Sequence, residues 1–156
     1  MYHRQRKGYI EQQIEATALV LARIFGLKDA GNYAAAQTEI ANAFANVGGL
    51  SVETILALPE PMALTYFRSM NTVDAGRCVV AATLLDEYSQ VCTTQGLKSS
   101  EDRALRRALT LYVEAILVEE SIRTPDYYDR VNRILEQLND ENLTSTVRTR
   151  LAIPPS

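Results

Sequence analysis

Leu109-Thr110-Leu111-Tyr112-Val113-Glu114-Ala115-Ile116-Leu117-Val118 is the most apolar run of the chain, and its reading decides the fold. A membrane span needs about 20 consecutive apolar residues. This run stops well short of that and carries Glu114, so it reads as a buried core helix. Its start falls at Ser99-Ser100-Glu101-Asp102, which offers an N-cap and an acidic first turn, and its end near Ser121. Arg103, Arg107, Thr110, Glu114 and Ser121 form its polar stripe, and the rest is apolar nearly all round between Ala108 and Val118. A helix of that character belongs at the centre of a bundle.

The helical spacing continues outward in both directions. Ile10, Ile14, Thr17, Ala18, Leu21, Ile24 and Phe25 follow the i, i+3/i+4, i+7 stripe of an amphipathic helix over 8–27. Asp29-Ala30-Gly31-Asn32 breaks the chain, and an alanine-rich second helix over 33–47 stops at Gly48-Gly49. The stretch 50–73 reads as two short helices or partly irregular chain, with Ser51 as a cap and Pro59 and Pro61 as breaks. A long helix follows from Thr72 or Asp74 to Gln95, with Gly96 as its stop. Its face of Cys78, Ala81, Ala82, Leu85, Tyr88 and Cys92 is mostly small, which permits close helix approach. Thr124-Pro125-Asp126 opens another helix carrying Tyr128, Val131, Leu135 and Leu138, and a last one over 140–150 carries Leu143, Val147 and Leu151. Strand-type alternation is absent. The expectation is an all-α fold: one compact domain over 1–153, built of about six to eight antiparallel helices without a sheet, and a frayed tail at 154–156.

Composition narrows the function classes. In 156 residues, 47% are hydrophobic and 22% charged, the balance of a soluble globular domain and not of a disordered or collagen-like chain. A net charge of −3 offers no broad positive field for nucleic acid. The basic start His3-Arg4-Gln5-Arg6-Lys7 leads into polar residues, so no signal peptide is expected. Cys78 and Cys92 lie fourteen residues apart on one helix, a separation of about 21 Å against a disulfide limit of roughly 7 Å. Free thiols fit a reducing compartment, and a cytoplasmic location is expected.

Gly31-Asn32-Tyr33-Ala34-Ala35-Ala36, followed by Ile40 and Ala43, resembles the second half of a tetratricopeptide repeat: a turning glycine, a plugging aromatic, and alanines that let two helices close. The resemblance covers about a fifth of the chain. It departs in the preceding helix, where Ile24 stands in place of a small residue and Arg23 in place of a leucine. Ala108, Tyr112 and Ala115 echo it without a glycine at the right distance. Fewer than three repeats make no solenoid, so the reading is tetratricopeptide-like hairpins inside a bundle, a layout also similar to bacterial all-helical families of unknown function. The resemblance implies a peptide groove at Ala18, Leu21, Phe25 and Lys28 of the first helix. Leu21 and Phe25 are apolar, so an amphipathic partner helix suits those positions better than an acidic chain end. The competing reading assigns them to the core.

Catalytic chemistry has few parts to work with. His3 is the one histidine, and no Cys-x-x-Cys, G-x-S-x-G, H-E-x-x-H, Walker or dinucleotide motif occurs. No catalytic residue, metal ligand or cofactor is assigned. Glu114, in the most apolar helix, reads either as a general base or binding group in a bundle pocket, or as the partner of Arg103, Arg107 or another helix's arginine. The cluster Arg103-Arg106-Arg107 is largely compensated by Asp102 and Glu101. The resulting expectation is a non-catalytic protein-interaction or scaffold protein, self-associating as a homodimer through the first helix and the Ile55–Phe67 segment or binding another protein. The alternative is a small-ligand binder or enzyme with a pocket near Glu114. A nucleic-acid role through the basic start comes third, and no membrane association is expected.

Overall fold

The computed structural model describes residues 2–152, with side chains from Gly8 onward. Among the described residues there are eight α-helices: α1 Tyr2–Asp29, α2 Tyr33–Gly48, α3 Val52–Ala57, α4 Glu60–Thr65, α5 Ala75–Thr94, α6 Lys98–Val118, α7 Pro125–Leu138 and α8 Glu141–Leu151. The all-α bundle expected from the sequence is the fold. No helix of the described residues is long and apolar enough to cross a membrane. His3, the basic start and the tail at 154–156 lie outside the described side chains.

Local chemistry places most of the breaks. Gly31 adopts φ 74°, its N–H reaches the Lys28 carbonyl at 2.9 Å and the Asn32 N–H reaches that of Leu27 at 2.8 Å. This pair of bonds is a Schellman cap, which needs a left-handed residue at its turn. The Asn32 side chain then caps α2 by accepting from the Ala35 N–H. Gly96 repeats the device at the end of α5, with φ 72° and the Leu97 N–H on the Cys92 carbonyl at 2.9 Å. The chain turns directly into α6, and α5 with α6 forms the most extensive helix pair of the bundle.

The central place expected of α6 is borne out, since α3, α5, α7 and α8 all pack on it. Its partner α5 is the more deeply buried: of its twenty residues only Arg77, Gln90, Thr93 and Thr94 escape burial, because α1, α2 and α6 cover it. Three expectations need correction. The serine cap expected at Ser99 is not used; α6 starts one turn early behind Leu97, which makes no side-chain cap, and Ser99 accepts from Arg103 instead. The stretch after α4 holds a minimal sheet, Arg68–Ser69 antiparallel to Thr72–Val73, where no paired strand was expected. Its turn residues Met70 and Asn71 both take positive φ, 52° and 68°, the signature of the type I′ turn that matches strand twist. Finally, Ile55 and Phe67 are buried in their own chain and so leave the contact surface expected at Ile55–Phe67, of which Met62 and Tyr66 stay exposed. Phe67 sits against Gly48 and under the Arg77 guanidinium, 5.6 Å from the ring centroid.

Candidate functional site

Thr83, Asp86, Glu87 and Gln90 stand at i, i+3, i+4 and i+7 on α5 and therefore share one stripe. No basic residue lies three or four positions away on the same helix, so the two carboxylates must find partners elsewhere. Two helices supply them, and a third partners the threonine. Lys28 of α1 places Nζ 2.7 Å from Glu87 Oε2 and 2.6 Å from Gln90 Oε1. Arg133 of α7 binds Asp86 through both terminal nitrogens. Tyr112 of α6 meets Thr83 Oγ1 at 2.8 Å.

Proton counting sets the direction of that last bond. Thr83 donates to the Val79 carbonyl at 2.8 Å, so its oxygen accepts from the Tyr112 hydroxyl, which in turn accepts from Arg130 Nη1 at 3.5 Å. Burial pushes the Tyr112 hydroxyl above the ordinary phenol range, with Thr83 and Arg130 offsetting part of the rise. The hydrogen bond to Asp86 raises Arg133. The stripe is thus a polar seam on the most buried helix, closed by α1 on one side and by two partly exposed arginines of α7 on the other. Sequence reading did not single out these residues; two carboxylates in a helix without in-helix partners were the signal for them.

The residues expected to line a groove on α1 flank this seam. Ala18 and Phe25 are exposed, and Leu21 and Lys28 are half-buried. Lys28 lies 5.5 Å over the Phe25 ring while its ammonium engages Glu87. Leu19, opposite Lys28 on the same helix, is 73% exposed.

Glu114 sits apart from the seam. Its Oε1 accepts from Arg150 Nη2 of α8 at 3.0 Å, so the arginine of another helix holds it, and none of the hollows described below is lined by it. Burial is the main cause that pushes the Cys78 thiol up to about 12, and it also raises Cys92. Both therefore stay protonated, the unreactive form. Among the described residues no group of three or more His, Cys, Asp or Glu side chains is arranged to hold a metal ion. A shallow hollow of about 570 Å³ lies between α7 and α8 around Asn139, Thr144 and Arg148. A second, of about 710 Å³, lies beside Met70 at the hairpin tip. A third, of about 230 Å³, separates α1 from α2 and α5 near Gln13, Ala43 and Val80.

Compared with protein-family models, curated proteins and solved structures, the chain matches none.

Proposed function

We propose that this chain is a non-catalytic helical interaction protein whose contact helix is α1. The observation that carries the reading is the exposed side of α1 that Leu19 and Phe25 border. They remain 73% and 46% exposed, while only Ile10 and Ile24 among the described side chains of α1 are fully buried. Large apolar groups left on one helix mark a contact surface. A second copy of the chain is the first occupant to test, since a two-fold dimer covers such a patch with the same patch. Ala18, Ala22 and Gly26 on this side let a partner helix approach closely. The alternative reading, a small-ligand pocket beside Glu114, has less support, because the Glu114 carboxylate is already engaged by Arg150.

Sedimentation equilibrium over the micromolar range tests the proposal. The wild type should approach twice 17.4 kDa, and the double variant Leu19→Asp, Phe25→Asp should stay at the monomer mass with unchanged helical circular dichroism. A wild type that holds the monomer mass across the range overturns self-association through α1. Dimerisation that the double variant leaves intact overturns the choice of surface.

A further inference from the structure

The polar face of α6 borders a hollow that the interaction reading does not use. Arg103, Arg106, Arg107 and Thr110 lie at i, i+3, i+4 and i+7 and so share one face. Leu56 of α3 and Glu60 of α4 stand opposite, and these six residues line a hollow of about 270 Å³. Arg106 is neutralised by Asp102 at 2.8 Å and Asp140 at 3.3 Å. The other two arginines have no carboxylate within ion-pair distance among the described residues. Arg103 donates to Ser99 Oγ at 3.2 Å, and Arg107 Nη2 donates to the Leu58 carbonyl at 2.7 Å.

Arg107 carries a further sign of a missing partner: its Nε–H is buried and has no acceptor. Burial pulls this guanidinium below its ordinary range, with Glu60 acting the other way. Glu60 is the single acid of the lining, and it already accepts from the Thr110 hydroxyl at 2.7 Å. Two guanidinium groups without an ion pair, against a single carboxylate, thus face one concave site in a chain whose net charge is −3. Guanidinium forks match oxyanions with several acceptor oxygens, phosphate above all.

We propose that the Arg103–Arg107 hollow binds a phosphate group, free or as the head of a small monoester. Its volume lies below the roughly 300–1,000 Å³ of pockets that enclose drug-sized ligands, so the phosphate itself is the recognised part. Arg103 and Arg107 supply the charge, and Thr110 keeps Glu60 turned to the wall.

Isothermal titration of the full chain with inorganic phosphate, at ionic strength matched with sodium chloride, tests this. Saturable one-site binding is expected. Arg103→Gln, a change at an exposed side chain, should raise Kd by about tenfold, the loss of one charge-assisted hydrogen bond. Glu60→Gln should lower Kd, since it removes the one carboxylate of the lining and keeps an acceptor for Thr110. Glycerol phosphate separates the sources: tighter binding than inorganic phosphate assigns the site to monoesters, and equal or weaker binding assigns it to the free ion. An absence of saturable heat overturns the proposal, as does an Arg103→Gln variant that binds like wild type or a Glu60→Gln variant that binds more weakly.

Discussion

Lys28 of α1 and Glu87 of α5 meet at 2.7 Å, although 59 positions separate them in the chain. The pair ties the exposed flank of α1 to the most buried helix of the bundle, and Gln90 takes a second bond from the same ammonium. Both side chains are largely withdrawn from water, so this contact is a buried ion pair and obeys the rules of one. Its attraction largely offsets its own desolvation, and breaking it from one side leaves a stranded charge.

Lys28→Met should therefore cost about 3 kcal/mol, most of it from Glu87 left without a counterion. The double variant Lys28→Met, Glu87→Leu should recover most of that loss, since two apolar groups of similar volume replace the pair. Urea denaturation of the three chains checks both values. A single variant as stable as wild type would show that water already reaches Glu87.

Ala36 is fully buried on α2, as the hairpin resemblance implies for the alanine after the aromatic. Ala36→Leu adds three carbons where no space is left and should cost about 1–3 kcal/mol. The thermal midpoint reports it. A wild-type melt would mean that α2 has room to move away from its neighbours.

The hairpin tip pairs a positive φ at Met70 with a side chain that is 95% exposed. Methionine pays for the left-handed backbone there and gains no packing in return. Met70→Asn together with Asn71→Gly installs the preferred type I′ dipeptide and should raise stability by about 1 kcal/mol. Denaturant midpoints of the double variant measure this, and an unchanged midpoint would place the hairpin outside the cooperative unit.

Cys78 sets an alkaline limit. Its thiol stays protonated in the fold up to about 12, against an ordinary value of 9.0 in the open chain. Below 9.0 both states hold the proton and stability from this group is constant. Above it the unfolded chain ionises first, so stability falls as pH rises, by about 1.4 kcal/mol per pH unit from this group. Denaturation at pH about 8 and about 10 should show the drop, and Cys78→Ala should lessen it, the rest coming from groups such as Cys92 that burial also raises. A variant with the same alkaline slope would assign the effect to other groups.

Much of the architecture was legible because its signals are local. Gly31, Gly96 and Pro125 mark the breaks they were expected to mark, since a left-handed turn or a missing N–H acts within a few residues. The stripes of α7 and α8, with Val131, Leu135 and Val147 buried, follow the same period. The hairpin at Arg68–Val73 was missed because its tip is Met70-Asn71, not the glycine-bearing pair that usually announces a type I′ turn. Ile55 and Phe67 looked like surplus apolar groups, yet both are core residues.

The sequence by itself determined that the chain is helical, where most helices start and stop, and which side chains are too apolar for water. These properties depend on spacing, caps and composition over a few turns. Only the tertiary structure decided that α5 is buried more deeply than α6, and that Arg133, Lys28 and Tyr112 complete the polar stripe of α5. It also decided that Glu114 belongs to Arg150. Those outcomes rest on contacts between residues tens of positions apart. How deeply a helix is buried depends on which of its faces the neighbours cover, which the spacing within one helix does not encode.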